Sequence, residues 1–275
     1  MQVAAEELCK QRGYSFKGQL GKGAFKSAYL VETTEGPQAL KLALVSGAPD
    51  RLIREAAALL TCSHPSIAKL YEAFPHSHDK LMLWVVREEY LAGGTLEQRL
   101  QGQLLAPDVV RQVGVCLAEV IQHLQEKRLV HRDIKPANVL FRDDPLVPVL
   151  TDFGVVRMLD EPTLTRAFMG MGPGTPAYAA PEQLNNEKAL IGWRTDQFGL
   201  AVVLAECLTG HHPYMPAGGS LHDAIAAAAA KAQPQPWCID ELRAFGFGCL
   251  EQALQPWPVS RYRKPDEFIA ALRSV

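Results

Sequence analysis

The hydrophobic periodicity of the chain changes at Leu91-Ala92-Gly93-Gly94, and that change constrains the fold more than any other feature. Before it, short apolar runs bounded by turn residues occupy Phe16–Leu20, Ser27–Glu32, Gln38–Leu44, Ile67–Phe74 and Leu81–Glu89. Runs of this length and character predict β-strands, along which successive side chains take opposite faces. One helix is expected among them, over Asp50–Cys62, where Leu52, Ile53, Ala56, Leu59 and Leu60 recur at helical spacing behind Pro49 and Asp50. After the break, Pro107 opens a long amphipathic helix to about Lys127, and Thr195–Thr209 is apolar nearly throughout, as a buried helix would be. Further helices are expected near 220–231, 238–255 and 265–273, with Pro234/Pro236 and Pro256/Pro258 as breaks. The chain therefore divides into a small β-rich lobe and a larger helical lobe, joined near Glu89–Gly94.

With 275 residues, 48% of them hydrophobic and 21% charged, the chain can bury a substantial core. A formal net charge of -2 provides no broad basic field, which argues against nucleic acid or an anionic membrane as partner. No apolar run reaches membrane-spanning length, and the opening MQVAAEELCKQRGYSF is too polar for a signal peptide. The six cysteines are scattered without metal-ligand spacing, as idle thiols in a reducing compartment would be. A cytoplasmic protein without membrane insertion is expected.

Gly21-Lys22-Gly23 lies between two predicted strands, and by itself a tight hairpin explains it about as well as a nucleotide does. On the next strand Ala39 and Lys41 are two apart and share a face. Glu55 follows inside the predicted helix. A lone strand lysine is usually a solvated surface group, but a glycine loop, a strand lysine and a helix glutamate in this order weaken that explanation. The strongest signal lies in the second lobe. Val130-His131-Arg132-Asp133-Ile134-Lys135-Pro136-Ala137-Asn138-Val139-Leu140 is followed, after a turn through Asp143-Asp144-Pro145, by Thr151-Asp152-Phe153-Gly154.

In this order and spacing, these motifs resemble those of the eukaryotic-like (Hanks-type) serine/threonine protein kinases, from about Gly18 to Leu272. The resemblance has a bacterial look. It implies an α+β, bilobal protein-kinase-like fold with a small antiparallel-sheet N-lobe, one main helix in that lobe, and a larger, mostly helical C-lobe. The corresponding division is an N-terminal extension at 1–15, the N-lobe at 16–90 and the C-lobe at 91–275. By the same resemblance, Asp133 accepts or orients the proton of a substrate hydroxyl and Lys135 stabilises the transferring phosphate. Asn138 and Asp152 hold magnesium, with manganese as the alternative. Lys41 binds the α- and β-phosphates of ATP and is kept in place by Glu55. Leu20, Gly21 and Gly23 belong to the nucleotide loop, backbone groups of Glu89 and Leu91 meet the adenine edge, and Ala28, Ala39 and Leu140 sandwich the ring.

Other landmarks of the resemblance are structural. Gly174-Thr175-Pro176-Ala177-Tyr178-Ala179-Ala180-Pro181-Glu182 is similar to the end of an activation segment. Asp196 would anchor the catalytic loop, Arg261 would pair with Glu182, and Leu59, Leu70, His131 and Phe153 would stack into a hydrophobic column. Lys135 and Thr175 follow the pattern of kinases that act on serine and threonine of protein substrates. Arg132 would receive a phosphate on the activation segment, with Thr163 or Thr165 as the expected site of autophosphorylation. The chain ends within a few residues of the resemblance on each side, which leaves the activating input to a regulatory partner protein, to concentration or to a region outside these residues.

Three positions depart from the family pattern. Lys26 stands where a third glycine is expected, as in the with-no-lysine kinases, where a lysine here replaces a missing strand lysine. Lys41 is present in this chain, so Lys26 would add a second phosphate contact, and its alternative is to face solvent. Ala28 replaces the usual valine over the adenine. Glu88 aligns with a position at the back of the pocket that is normally apolar or a threonine; a carboxylate buried there requires a partner, and the alternative is a one-residue shift in the alignment of Val85–Tyr90. These departures favour a pseudokinase acting as a nucleotide-binding scaffold, whereas Lys41, Glu55, Asp133, Asn138 and Asp152 together favour an active enzyme.

Overall fold

Five strands near the N-terminus, β1 (Ser15–Lys22), β2 (Lys26–Thr33), β3 (Gly36–Leu44), β4 (Leu70–His78) and β5 (Leu81–Glu89), form one sheet in the order β1-β2-β3-β5-β4 with every pairing antiparallel. The computed structural model describes residues 1–23, 26–45, 53, 57, 59–142, 147–153 and 177–275. The helix expected over 50–62 falls mostly outside them, as do Glu55, Thr163, Thr165 and Thr175. The described residues form two compact units, 1–92 on one side and 93–153 with 177–275 on the other. Together they make the bilobal α+β architecture that the sequence predicts.

In the first unit, alternation along the strands sorts side chains between two faces. One face buries Tyr29, Val31, Leu40, Leu42, Leu83 and Val85 against Ala4, Ala5, Leu8 and Cys9 of α1 (Gln2–Arg12). These four helix residues lie at spacings of one, four and five, a single apolar stripe. The stretch set apart from the sequence as an N-terminal extension is thus a helix packed on the sheet. Gly13, at φ +71°, ends α1 in the left-handed conformation that glycine adopts without a Cβ penalty. The Tyr14 hydroxyl then donates to Glu72 at 3.2 Å, fastening the end of the helix to β4. Strand β4 starts at Leu70, later than the expected Ile67, and runs on to a two-residue turn at Asp79 and Lys80. Both turn residues have positive φ, as a tight hairpin with right-handed twist requires.

The other face of the sheet is set by cross-strand register. Ala28 lies opposite Lys41, Leu30 opposite Ala39 and Lys26 opposite Ala43. Across the next pairing, Val86 lies opposite Lys41 and Glu88 opposite Ala39. Lys26, Ala28, Ala39, Lys41, Val86 and Glu88 therefore share one side of the sheet.

The second unit is mostly helical. It contains α2 (Leu96–Arg99), α3 (Pro107–Glu126), α4 (Pro181–Leu184), α5 (Trp193–Thr209), α6 (Leu221–Ala229), α7 (Pro236–Ala244), α8 (Leu250–Ala253) and α9 (Pro265–Arg273), with a small hairpin of β6 (Val139–Phe141) and β7 (Pro148–Leu150). Helix α5 is buried along nearly its whole length, which explains its apolar sequence. Helices α3, α5 and α9 converge at Gly114, where a Cβ would come within 2.9 Å of Leu204 Cδ1 and 3.5 Å of Leu272 Cδ1. The helix expected over 238–255 is interrupted: α7 ends at Ala244 and Gly246 has φ +88°, which a right-handed helix cannot accommodate.

Candidate active site

The loop after α3 carries the most concentrated chemistry of the second unit. Asp133 Oδ2 accepts from Lys135 Nζ at 3.1 Å and from Asn138 Nδ2 at 3.0 Å. Asn138 Nδ2 also donates to the Asp133 carbonyl at 2.8 Å. Both Asn138 bonds use the amide nitrogen, so its side-chain oxygen is the atom offered to a ligand. Asn138 closes the short 3-10 turn Pro136–Asn138, and its carbonyl accepts from the Thr151 amide at 2.9 Å. That bond ties the turn to the segment bearing Asp152, which stands at φ +65°. An amide oxygen and a carboxylate are hard donors, so Asn138 and Asp152 fit a magnesium-type cation.

The loop is fastened from behind by Asp196 on α5. Its Oδ2 and Oδ1 accept from the backbone N–H groups of His131 and Arg132, each at 2.7 Å. Arg132 has φ +67°, a left-handed conformation that costs energy in a non-glycine residue and persists only where partners hold it. Burial pushes the Asp196 carboxyl up to about 7, against the pull of the two N–H groups. Gln183 adds a further clamp, donating to the Arg132 carbonyl at 2.8 Å and accepting from the Ala180 amide at 3.1 Å. His131 accepts at Nδ1 from the Asp133 amide at 3.2 Å, so its Nε2–H donates to the Thr151 carbonyl at 3.0 Å. Burial lowers its pKa and keeps the ring neutral. The ring packs edge-on against Phe153, with centroids 4.8 Å apart.

Connections around β6 complete this unit's site. The Gly93 amide donates to the Phe141 carbonyl at 2.9 Å and the Phe141 amide to the Gly94 carbonyl at 3.0 Å. A Cβ on Gly93 would fall 2.1 Å from the Arg142 carbonyl oxygen, so only glycine fits that approach. Leu140, half-buried, pairs with Val149 and bridges to Thr95.

In the first unit, Lys26, Ala28, Ala39 and Lys41 lie on the face of the sheet opposite α1. Gly21 pairs with Ala28, and the Gly23 amide donates to the Lys26 carbonyl at 2.7 Å. Leu20 is exposed, while Ala39 and Leu91 are buried. The Glu89 amide donates to the Lys69 carbonyl at 2.8 Å, which fixes the end of β5 to the segment before β4. Lys41 Nζ forms an ion pair with Glu88 Oε1, and both side chains are largely buried. The expected pairing of Lys41 with Glu55 lies outside the described residues. Glu88, which the sequence flagged as a carboxylate in need of a partner, has one in Lys41.

The sequence matches the protein kinase domain family over residues 14–250. This chain belongs to the protein kinase family. It is 32% identical over 273 residues to the serine/threonine-protein kinase PkaB of Streptomyces coelicolor, covering 93% of this chain and 61% of PkaB. It is 30% identical over 281 residues to the serine/threonine-protein kinase PknF of Mycobacterium tuberculosis, covering 94% of this chain and 56% of PknF. The chain thus spans less than two thirds of the length of either relative. Its fold is similar to the kinase domain of Mycobacterium tuberculosis PknI, with a TM-score of 0.68 and 23% identity over 95% of each chain. Protein kinases generally use ATP and magnesium and act on protein substrates. Among the described residues, no helix of this kinase is long and apolar enough to cross a membrane.

Each unit of the kinase brings together its own share of the expected site residues. Asp133, Lys135 and Asn138 share a hydrogen-bonded cluster, and Lys26, Ala28, Ala39 and Lys41 share one sheet face. Two participants escaped sequence reasoning. Gln183 clamps a loop 51 residues away, and no spacing signal announces that. The Lys41–Glu88 pair could have been found from strand parity: Ala39 and Lys41 are in phase, and a register placing Glu88 opposite Ala39 brings the carboxylate onto their face.

Proposed function

We propose that the protein is an ATP-dependent serine/threonine protein kinase that transfers the γ-phosphate to serine or threonine hydroxyls of protein substrates and also autophosphorylates. The observation that carries this reading is the Asp133–Lys135–Asn138 cluster, in which one carboxylate oxygen accepts from both an ammonium and an amide. Two donors orient the Asp133 carboxylate, which suits it to receive the proton of an acceptor hydroxyl. As the hydroxyl oxygen bonds to the γ-phosphorus, the bond to the β–γ bridging oxygen breaks and ADP leaves. Lys135, 3.1 Å from Asp133, is suited to offset charge on the transferring group. A divalent cation held by Asn138 and Asp152 would neutralise phosphate charge. In the first unit, Lys41 would bind the α- and β-phosphates, Lys26 would add a contact, and Leu20, Gly21 and Gly23 would cover the triphosphate. Ala28, Ala39 and Leu140 would enclose the adenine, with the backbone of Glu89 and Leu91 at its edge. Glu55 remains a proposed partner of Lys41.

On this reading, 16–90 and 91–275 act as the lobes of one kinase domain that works in the cytoplasm and answers to a regulatory partner protein. Its acceptor is a protein rather than a nucleic acid. The test is magnesium-dependent transfer of labelled phosphate to a generic protein substrate and to the chain itself. Asp133→Asn should abolish transfer, by roughly a thousandfold or more, while leaving nucleotide binding in place. Nucleotide binding without transfer in the wild type, unchanged by Asp133→Asn, would establish the scaffold reading instead.

A further inference from the structure

The partner of Lys41 within the sheet points to a role for Glu88. Lys41 sits on β3 directly opposite Val86, and Glu88 lies two residues further along β5, opposite Ala39. Diagonal neighbours of this kind are too far apart for short side chains, but a lysine stem spans the gap. The Lys41 ammonium and the Glu88 carboxylate use that reach and make an ion pair with 14% and 9% of their side chains exposed. A carboxylate this deep is costly unless a cation meets it, and the ammonium is likewise costly without an anion. Each therefore holds the other in place.

The location of the partner matters as much as its charge. Strand β5 is hydrogen-bonded between β3 and β4, so its backbone cannot shift without disturbing two ladders. A carboxylate mounted there anchors the lysine from the same rigid element that carries it. We propose that Glu88 is a positioning residue for the phosphate-binding Lys41, holding its ammonium at the sheet face by an ion pair inside the sheet. An ammonium has three N–H donors, so Lys41 can keep Glu88 on one and offer another to a nucleotide phosphate. The carboxylate thus aims the cation, and nucleotide recognition depends on a residue that touches no nucleotide itself. The lysine's role rests on the kinase reading, whereas the anchoring of Lys41 by Glu88 does not.

The experiment has two readouts. In the absence of nucleotide, acylation of Lys41 by an amine-reactive ester is followed by peptide mass spectrometry for wild type, Glu88→Gln and Glu88→Asp, with thermal melting to verify that each is folded. Removing the carboxylate should make Lys41 several-fold more reactive, and Glu88→Asp should fall between the other two. In the second readout, steady-state transfer should show Glu88→Gln raising KM for ATP roughly tenfold, with kcat changed far less, and Glu88→Asp recovering part of the loss. Equal Lys41 acylation in a folded Glu88→Gln variant overturns the anchoring. A KM that is unchanged or lowered, with acylation raised as expected, overturns the positioning role. If the wild type neither binds nucleotide nor transfers phosphate, the kinase reading fails, while the acylation result still decides the anchoring.

Discussion

Arg261 and Glu182 meet through two parallel hydrogen bonds of 2.8 and 3.0 Å, with neither side chain exposed to solvent. The remaining groups are satisfied as well. Arg261 donates to the carbonyls of Gln255, Arg194 and Pro256, and Thr195 donates to Glu182 at 2.9 Å. Two elements 79 residues apart in sequence are joined where water cannot compete. Arg261→Ala should destabilise the fold by about 3–5 kcal/mol, because it strands a buried carboxylate. Replacing both partners by apolar residues of similar volume should recover much of that loss. Urea denaturation midpoints of the single and double variants measure both.

Asp196 serves two backbone N–H groups at once, and only a carboxylate offers two equivalent acceptor oxygens in that place. Asp196→Asn should leave one buried N–H facing an NH2 donor, at a cost of about 1–3 kcal/mol. Because those N–H groups belong to His131 and Arg132, just before Asp133, phosphate transfer should fall further than global stability alone accounts for. Parallel measurement of kcat and of the melting temperature separates the two effects.

Lys41 and Lys26 lie on the same sheet face but differ in setting. Lys41 is ion-paired with Glu88 in the middle of the sheet, whereas Lys26 begins β2 beside the glycine loop. Lys41→Met should reduce kcat/KM by about a hundredfold or more. Lys26→Met should act mainly on KM for ATP and cost only several-fold. The opposite ranking would mean that Lys26 is the principal phosphate contact.

His212 is buried, its Nε2–H donating to the Ala177 carbonyl at 2.7 Å while Nδ1 accepts from the Tyr214 amide at 3.2 Å. Burial pushes its pKa down from 6.5 to about 4. The unfolded chain therefore binds a proton at this site below pH 6.5 that the folded protein resists until pH 4. The resulting stability is present above pH 6.5 and is lost as pH falls towards 4, by about 3 kcal/mol in all. Asp196, with its pKa raised, has the opposite slope, losing stability as pH rises through about 7. A difference measurement isolates the histidine: the stability gap between wild type and His212→Gln should shrink as pH is lowered from 7 to 4.

Much of the architecture is visible in the strand and helix periods. β2, β3 and β5 are near their expected bounds, and α3, α5, α6 and α9 follow from amphipathic or fully apolar runs. Two helical details did not follow from local pattern. The break after α7 depends on the positive φ of Gly246, a conformation that a glycine permits without requiring. The packing of α1 depends on the apolar face of a sheet whose strands extend to residue 89.

The order of residues sets which chemical groups are available: a glycine loop, a strand lysine, the H-R-D and D-F-G stretches, and the helix around Asp196. Those constraints are local, arising from backbone geometry and from the residue types that proton and phosphate chemistry require. Which charged group answers which depends on how the folded chain brings distant residues together. Spacing alone did not pair Glu88 with Lys41, clamp Arg132 with Gln183 or seat α1 on the sheet, because these contacts depend on register and burial. Once water is excluded, a buried carboxylate must take whichever cation the fold brings within reach, and strand register brought Lys41 to Glu88.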